Sequence, residues 1–119
     1  MNSPTTKLLN SLRNKLKPLN VPIHFKLPSV SVVEPFLVIG GITSDTSKTA
    51  QTGLIIEDST VQIDIYLPGN KNRAYAEDVK SQAIRLLGRN TRTTSTILMD
   101  NSIGREVYHI VIKTTETIL

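Results

Sequence analysis

The stretch that decides the fold runs from residue 61 to residue 88, VQIDIYLPGNKNRAYAEDVKSQAIRLLG. Its first seven residues alternate. Val61, Ile63, Ile65 and Leu67 fall on one side of an extended chain, with Gln62, Asp64 and Tyr66 on the other. One buried face and one polar face is the pattern that antiparallel sheets permit. Pro68-Gly69-Asn70 then reads as a turn, and the period changes after it. Tyr75, Val79, Ala83, Ile84, Leu86 and Leu87 make an apolar face at helical spacing. Asn72 stands at the N-cap, Glu77 and Asp78 lie near the positive end, and Gly88 fits the left-handed position past the C-terminus. A half-buried strand, a tight turn and a one-sided helix together predict a helix laid on one face of a sheet.

Working outward, a first helix begins near Ser3, a good N-cap, with Pro4 at the first helical position. Leu8, Leu9, Leu12 and Leu16 form its stripe, Lys15 and Lys17 suit the negative end of the dipole, and Pro18 stops it. From Val21 to Pro35 the chain is extended and punctuated by prolines. Val21, Ile23 and Phe25 alternate like a strand, which Pro22 confines to an edge or an irregular form. Phe36 to Ile39 is a short buried-strand run ended by Gly40-Gly41. The composition from Thr43 to Thr52 shifts to Ser, Thr, Asp, Lys and Gln and predicts a flexible loop, either functional or disordered at that length. Strand follows from Gly53 to Glu57, possible continuation across Asp58 to Thr60 leading into Val61. Beyond the second helix, a Thr-rich strand spans about Thr91 to Met99, a turn covers Asp100 to Gly104, and a last strand runs from Glu106 to about Thr114, leaving Thr115 to Leu119 loosely held. The expected fold is α+β: one domain over residues 1–119, a mostly antiparallel sheet with two helices packed on one face.

Composition excludes several classes. The chain has no cysteine, so disulfide scaffolds, zinc-thiolate sites and cysteine nucleophiles are out. Met1-Asn2-Ser3-Pro4 does not open a secretory signal, and the longest apolar run, Phe36 to Ile39, is too short to cross a bilayer. An aqueous compartment and no membrane partner are expected. The net charge is +4, and Lys7, Arg13, Lys15, Lys17 and Lys26 all precede the first acid, Glu34. A second basic set is Lys71, Arg73, Lys80, Arg85, Arg89 and Arg92. Such sets serve either contact with a polyanion such as DNA or ordinary solvated faces. No aromatics are interleaved with them, which argues against a stacking platform for single strands.

Candidate chemistry is sparse. His24 and His109 lie in separate predicted strands with no third ligand signalled, and a half-buried or solvated sheet histidine is the simpler reading of each. Glu57-Asp58 would point to opposite faces of a strand, and Glu77-Asp78 diverge on a helix. Gly40-Gly41 lacks the spacing and the Lys-Ser/Thr ending of a phosphate loop. Neither a nucleophile with its partnered base nor a cofactor motif is present, so the expectation is a protein that is not an enzyme and carries no cofactor.

Several segments together resemble the tail-terminator family of long-tailed bacteriophages, also called tail-completion or head-to-tail joining proteins. They are Val21-Pro22-Ile23, then Pro35-Phe36-Leu37-Val38-Ile39-Gly40, a polar loop, the alternating Val61-Gln62-Ile63-Asp64-Ile65-Tyr66, the helix from Ala74 to Leu87 and two closing strands. The similarity spans roughly residues 4 to 114. Phe36 stands where the family often has tyrosine, and Pro68-Gly69-Asn70 replaces a more basic connection. The resemblance implies a six-membered ring in the virion tail, assembled in the host cytoplasm, that caps the tail tube, stops its polymerisation and faces the head connector. Its partners would be copies of itself, the tail tube protein, the connector or neck protein and, transiently and non-specifically, genomic DNA. Ser44, Asp45, Thr46, Ser47, Lys48 and Thr49 are the expected docking loop, and Arg73, Arg89 and Arg92 the expected DNA-channel or interface cations. A head-closure or neck ring protein and a small basic nucleic-acid-binding module are the alternatives.

Overall fold

The computed structural model describes residues 4–29, 31–45, 57–88, 92–101 and 104–118. Helix α1 (Pro4–Leu16) leads into a 3-10 turn at Lys17–Leu19, where Pro18 sits without needing a backbone donor. Asn20 closes that turn at φ 58°, its N–H donating to the Lys17 carbonyl at 3.0 Å. The strands are β1 (Ile23–His24), β2 (Phe36–Asp45), β3 (Glu57–Pro68), β4 (Arg92–Asp100) and β5 (Val107–Ile118), with helix α2 (Arg73–Leu87) between β3 and β4. They form one sheet in the order β1-β2-β3-β5-β4. Among the described residues only the β1–β2 pair is parallel. The class is therefore α+β with a mostly antiparallel sheet, as the order of elements predicts.

Alternation builds the main core. Val61, Ile63, Ile65 and Leu67 of β3 point to one face with Leu37 and Ile39 of β2 and Ile110 and Ile112 of β5. Onto this face α1 sets Leu8, Leu12 and Leu16, and α2 sets Ala76, Ala83 and Leu87. Both helices thus lie on the same side of the sheet. The small Ala76 and Ala83, each 0% exposed, let α2 approach the strands closely. Lys15 Nζ donates to the Leu87 carbonyl at 3.4 Å, so the last turn of α1 satisfies an open carbonyl at the end of α2.

A second, smaller cluster of Phe36, Val38, Tyr66 and Val107 occupies the opposite face, with Val32 packed against it. The segment that carries Val32 is tied down by a charge pair. Arg105 Nε donates to both carboxylate oxygens of Glu34 at 3.0 Å, and its Nη2 donates to the Val32 carbonyl at 2.6 Å and to Glu34 Oε2. Glu34 is nearly buried, and a buried carboxylate is tolerated only with such a bidentate partner. The Glu34–Pro35 peptide is cis.

Three strand boundaries differ from the sequence reading. Thr43, Ser44 and Asp45, expected to open the loop, continue β2 and pair with Thr60, Ser59 and Asp58; Thr46 to Thr52 lie outside the described residues. Gly40-Gly41 does not end the strand. The register shifts between Gly40 and Thr43, so the glycines absorb a bulge and the ladder resumes. The expected loose tail is also strand, with Thr115, Glu116, Thr117 and Ile118 paired to Thr60, Ser59, Asp58 and Glu57. Polar residues hold this end through the ladder and through hydroxyls. Thr60 and Thr115 share a hydrogen bond at 2.8 Å, and Thr93 donates to Thr114 at 3.4 Å. Upstream, the proline-punctuated strand shrinks to Ile23–His24, and the next residues leave the sheet with Phe25 43% and Leu27 52% exposed.

Candidate functional site

The face of the sheet away from the helices carries the side chains that alternate with the core. Register fixes who meets whom: Tyr66 lies opposite His109 on β5, which in turn lies opposite Leu98 on β4, while Asp64 and Asp100 sit diagonally to either side. His109 is held between the two acids. Its Nε2 is 2.7 Å from Asp64 Oδ1, and its Nδ1 is 2.9 Å from Asp100 Oδ2. Gln62 Nε2 donates to both Asp64 oxygens at 3.0 and 3.2 Å, completing the carboxylate's partners. An aromatic row continues across the sheet. Tyr66 stacks on His109 at 4.4 Å between centroids, Phe36 stacks on Tyr66 at 4.9 Å, and His24 meets Phe36 edge-on at 6.0 Å.

The electrostatics follow from this geometry. Partial burial opposes a charge on His109, but hydrogen bonds and attraction from Asp64 and Asp100 together outweigh it, and its pKa is raised above the ordinary value. When the imidazole is protonated, both nitrogens donate, Nε2 to Asp64 and Nδ1 to Asp100. Burial, followed by the charges of Asp64 and Asp100, pushes the Tyr66 phenol upward as well, so it stays neutral at physiological pH. The cluster sets one imidazole between two carboxyl groups, a polar lock across β3, β5 and β4.

Beside the lock, the sheet ends in an open strand. β4 is the outermost strand on its side, and its nine residues pair with β5 alone among the described residues. Its ladder is continuous from Arg92 opposite Thr115 to Asp100 opposite Val107, without a bulge. An open depression of about 300 Å³ lies along it, lined by Thr94, Ser95, Thr96, Leu98, Val111 and Lys113. Leu98 is 40% exposed there, and its neighbour Met99 is 44% exposed.

The residues singled out from the sequence scatter over this frame. Arg73 opens α2, directly after the turn that leaves β3. Arg92 opens β4 at the far end of the sheet, level with Thr115, and Arg89 lies outside the described residues. Arg73 and Arg92 are separated by the length of α2, so they do not form one cationic patch. Ser44 and Asp45 belong to β2, and Thr46, Ser47, Lys48 and Thr49 lie outside the described residues. Among the other cations, Lys71 lies over the Tyr75 ring at 5.7 Å, Arg13 over Phe25 at 5.9 Å, and Lys80 pairs with Glu77 at 3.1 Å. These are ordinary uses of positive charge on a protein surface.

Reading the sequence missed the Asp64–His109–Asp100 lock. Alternation places Asp64 on the polar face, but the pairing depends on the β3–β5 and β5–β4 registers, which no local signal announces. Among the described residues no group of three or more His, Cys, Asp or Glu side chains has the arrangement to hold a metal ion, and no helix is long and apolar enough to cross a membrane. The chain matches no protein-family model, and no curated protein matches it.

Proposed function

We propose that this protein is a structural ring subunit, a tail terminator that caps the tail tube of a long-tailed bacteriophage, ends its polymerisation and offers the joining surface for the head. The observation that carries the assembly half of this reading is the edge of β4. Soluble proteins blunt such edges with proline, bulges, inward charges or very short strands. RTTSTILMD has none of these: nine residues, no Pro or Gly, no bulge, and charge only at its two ends. An edge of that kind is suited to pairing with another chain. The terminator half rests on the resemblance in element order across residues 4 to 114, including the alternating β3 and the one-sided α2. The lock on the open face supports the same reading, because it ties β3 and β5 to β4, the strand that forms that edge.

Native mass spectrometry of the purified protein, with negative-stain imaging of its mixture with tail tubes, tests the proposal. The expected result is a closed ring, formed either alone or on the tube tip, with tubes of uniform length. A protein that stays monomeric at all concentrations and never decorates a tube end removes the reading. A ring found at the portal side of the neck, and not on the tube, assigns the head-closure role instead.

A further inference from the structure

We infer that neighbouring copies join edge to edge, the outer edge of β4 in one copy pairing antiparallel with the distal half of β2, Ile39–Asp45, in the next. This rests on the ring reading above and adds which two edges meet and in what sense. A closed ring of identical subunits needs two different patches per subunit that fit one another. The sheet order supplies two candidates. On one side β4 pairs with no strand but β5 among the described residues. On the other, β1 pairs only with Leu37 and Val38, so from Ile39 onward β2 has no strand on its outer side among the described residues.

Direction decides whether the two can combine. β2 is antiparallel to β3, β3 to β5, and β5 to β4. Three reversals leave β2 and β4 running in opposite senses. Setting the β4 edge of one copy beside the β2 edge of the next, in the same orientation, therefore continues the sheet as an antiparallel ladder. That is the sense the rest of the sheet already uses, and the more favourable one. Height agrees too. Following partners across the sheet, Ser95 is level with Ile112, Ile63 and Ile39; Thr94 with Lys113, Gln62 and Gly40; and Arg92 with Thr115, Thr60 and Thr43. The free part of β2 thus faces the first half of β4 without a large shift along the strands, the ladder being interrupted at the bulge between Gly40 and Thr43. A pairing of β4 with β4 would instead make a closed two-fold dimer and leave the β2 edge unused. Two edges of opposite direction at the same height, each without a further strand among the described residues, are the observation that names a second copy as the occupant.

Because the chain has no cysteine, introduced cysteines report only the contact they are placed to test. Thr94→Cys or Thr96→Cys, each combined with Gly40→Cys or Thr43→Cys, covers the level register and a two-residue shift. Oxidation under assembly conditions, with tail tubes added if no ring forms without them, should give a ladder of covalent multimers for at least one double variant and none for the single variants. A Thr94→Cys variant that dimerises by itself as readily shows β4–β4 pairing and overturns the inference. Rings that form but never cross-link in any pair also overturn it, while leaving the ring reading intact. Absence of any ring removes both. Amide exchange on the unmodified chain guards against cysteines that disturb assembly: assembly should slow exchange about tenfold or more within Arg92–Asp100 and Ile39–Asp45. Slowing confined to other segments rejects the pairing.

Discussion

His109 has a carboxylate at each ring nitrogen, and only the doubly protonated imidazolium donates to both. The unfolded imidazole titrates at about 6.5, and in the folded chain the two acids raise that value against the cost of burial. A raised folded pKa means that the lock's contribution to stability is fully present below about pH 6.5 and is lost as pH rises through the folded value. The histidine Cε1 proton should therefore titrate with a midpoint above that of a free imidazole. Asp64→Asn removes one of the two anions and should lower the midpoint, flatten the alkaline loss of stability and cost about 1–3 kcal/mol at pH 6, since a partly buried charged hydrogen bond is weakened. An unchanged midpoint in the variant would show that Asp64 does not hold the proton. The sequence made each member visible singly, as a polar residue on the open face of its strand. It could not show that Tyr66 falls opposite His109, because that register is set by pairing between residues more than forty positions apart.

Helix α2 was the most legible element because every signal that bounds it is local. Asn72 caps it in extended geometry, its Oδ1 accepting from the Tyr75 N–H at 2.9 Å, and Gly88 leaves it at φ 94° with its N–H donating to the Arg85 carbonyl. Asn72→Ala should cost about 1 kcal/mol in urea-induced unfolding with an unchanged slope, whereas Asn72→Ser should cost little, since serine caps as well. Equal losses for both variants would mean that the cap contributes nothing. The strand ends were less legible for the opposite reason. Thr43 to Asp45 and Thr115 to Ile118 are polar and lack a buried-face pattern, yet they form strand because each supplies the other strands with a partner through β3. Loop composition competes there with ladder hydrogen bonds from distant residues, and the ladder wins. The turn before α2 shows the same dependence on distant chain: a Cβ on Gly69 would stand 2.3 Å from the Glu106 carbonyl oxygen, a contact visible only once the strands are in register.

At the scale of the whole molecule, a five-stranded sheet is covered by two helices on one face and only partly closed on the other by the segment around Val32. Strands of twelve residues stretch the molecule to 52 Å against widths of 27 and 24 Å. A domain of this size has a modest core, so in the proposed ring contacts between copies would add to its stability. Mass action turns that into a measurable quantity. If copies pair through β4, each tenfold increase in protein concentration should add about 1 kcal/mol per subunit to the assembled state. For a domain of this length the shift in melting temperature is about 3–5 °C per decade. Thr94→Lys with Thr96→Lys places two charges on exposed positions of the open strand, where lysine is a common means of keeping edges apart. The double variant should melt at the same temperature as the dilute wild-type protein and should not respond to concentration, because neither position contributes to the core. A melting temperature independent of concentration in the wild type would mean that the subunit folds and persists alone. A double variant that still rises with concentration would place the contact on some surface other than β4.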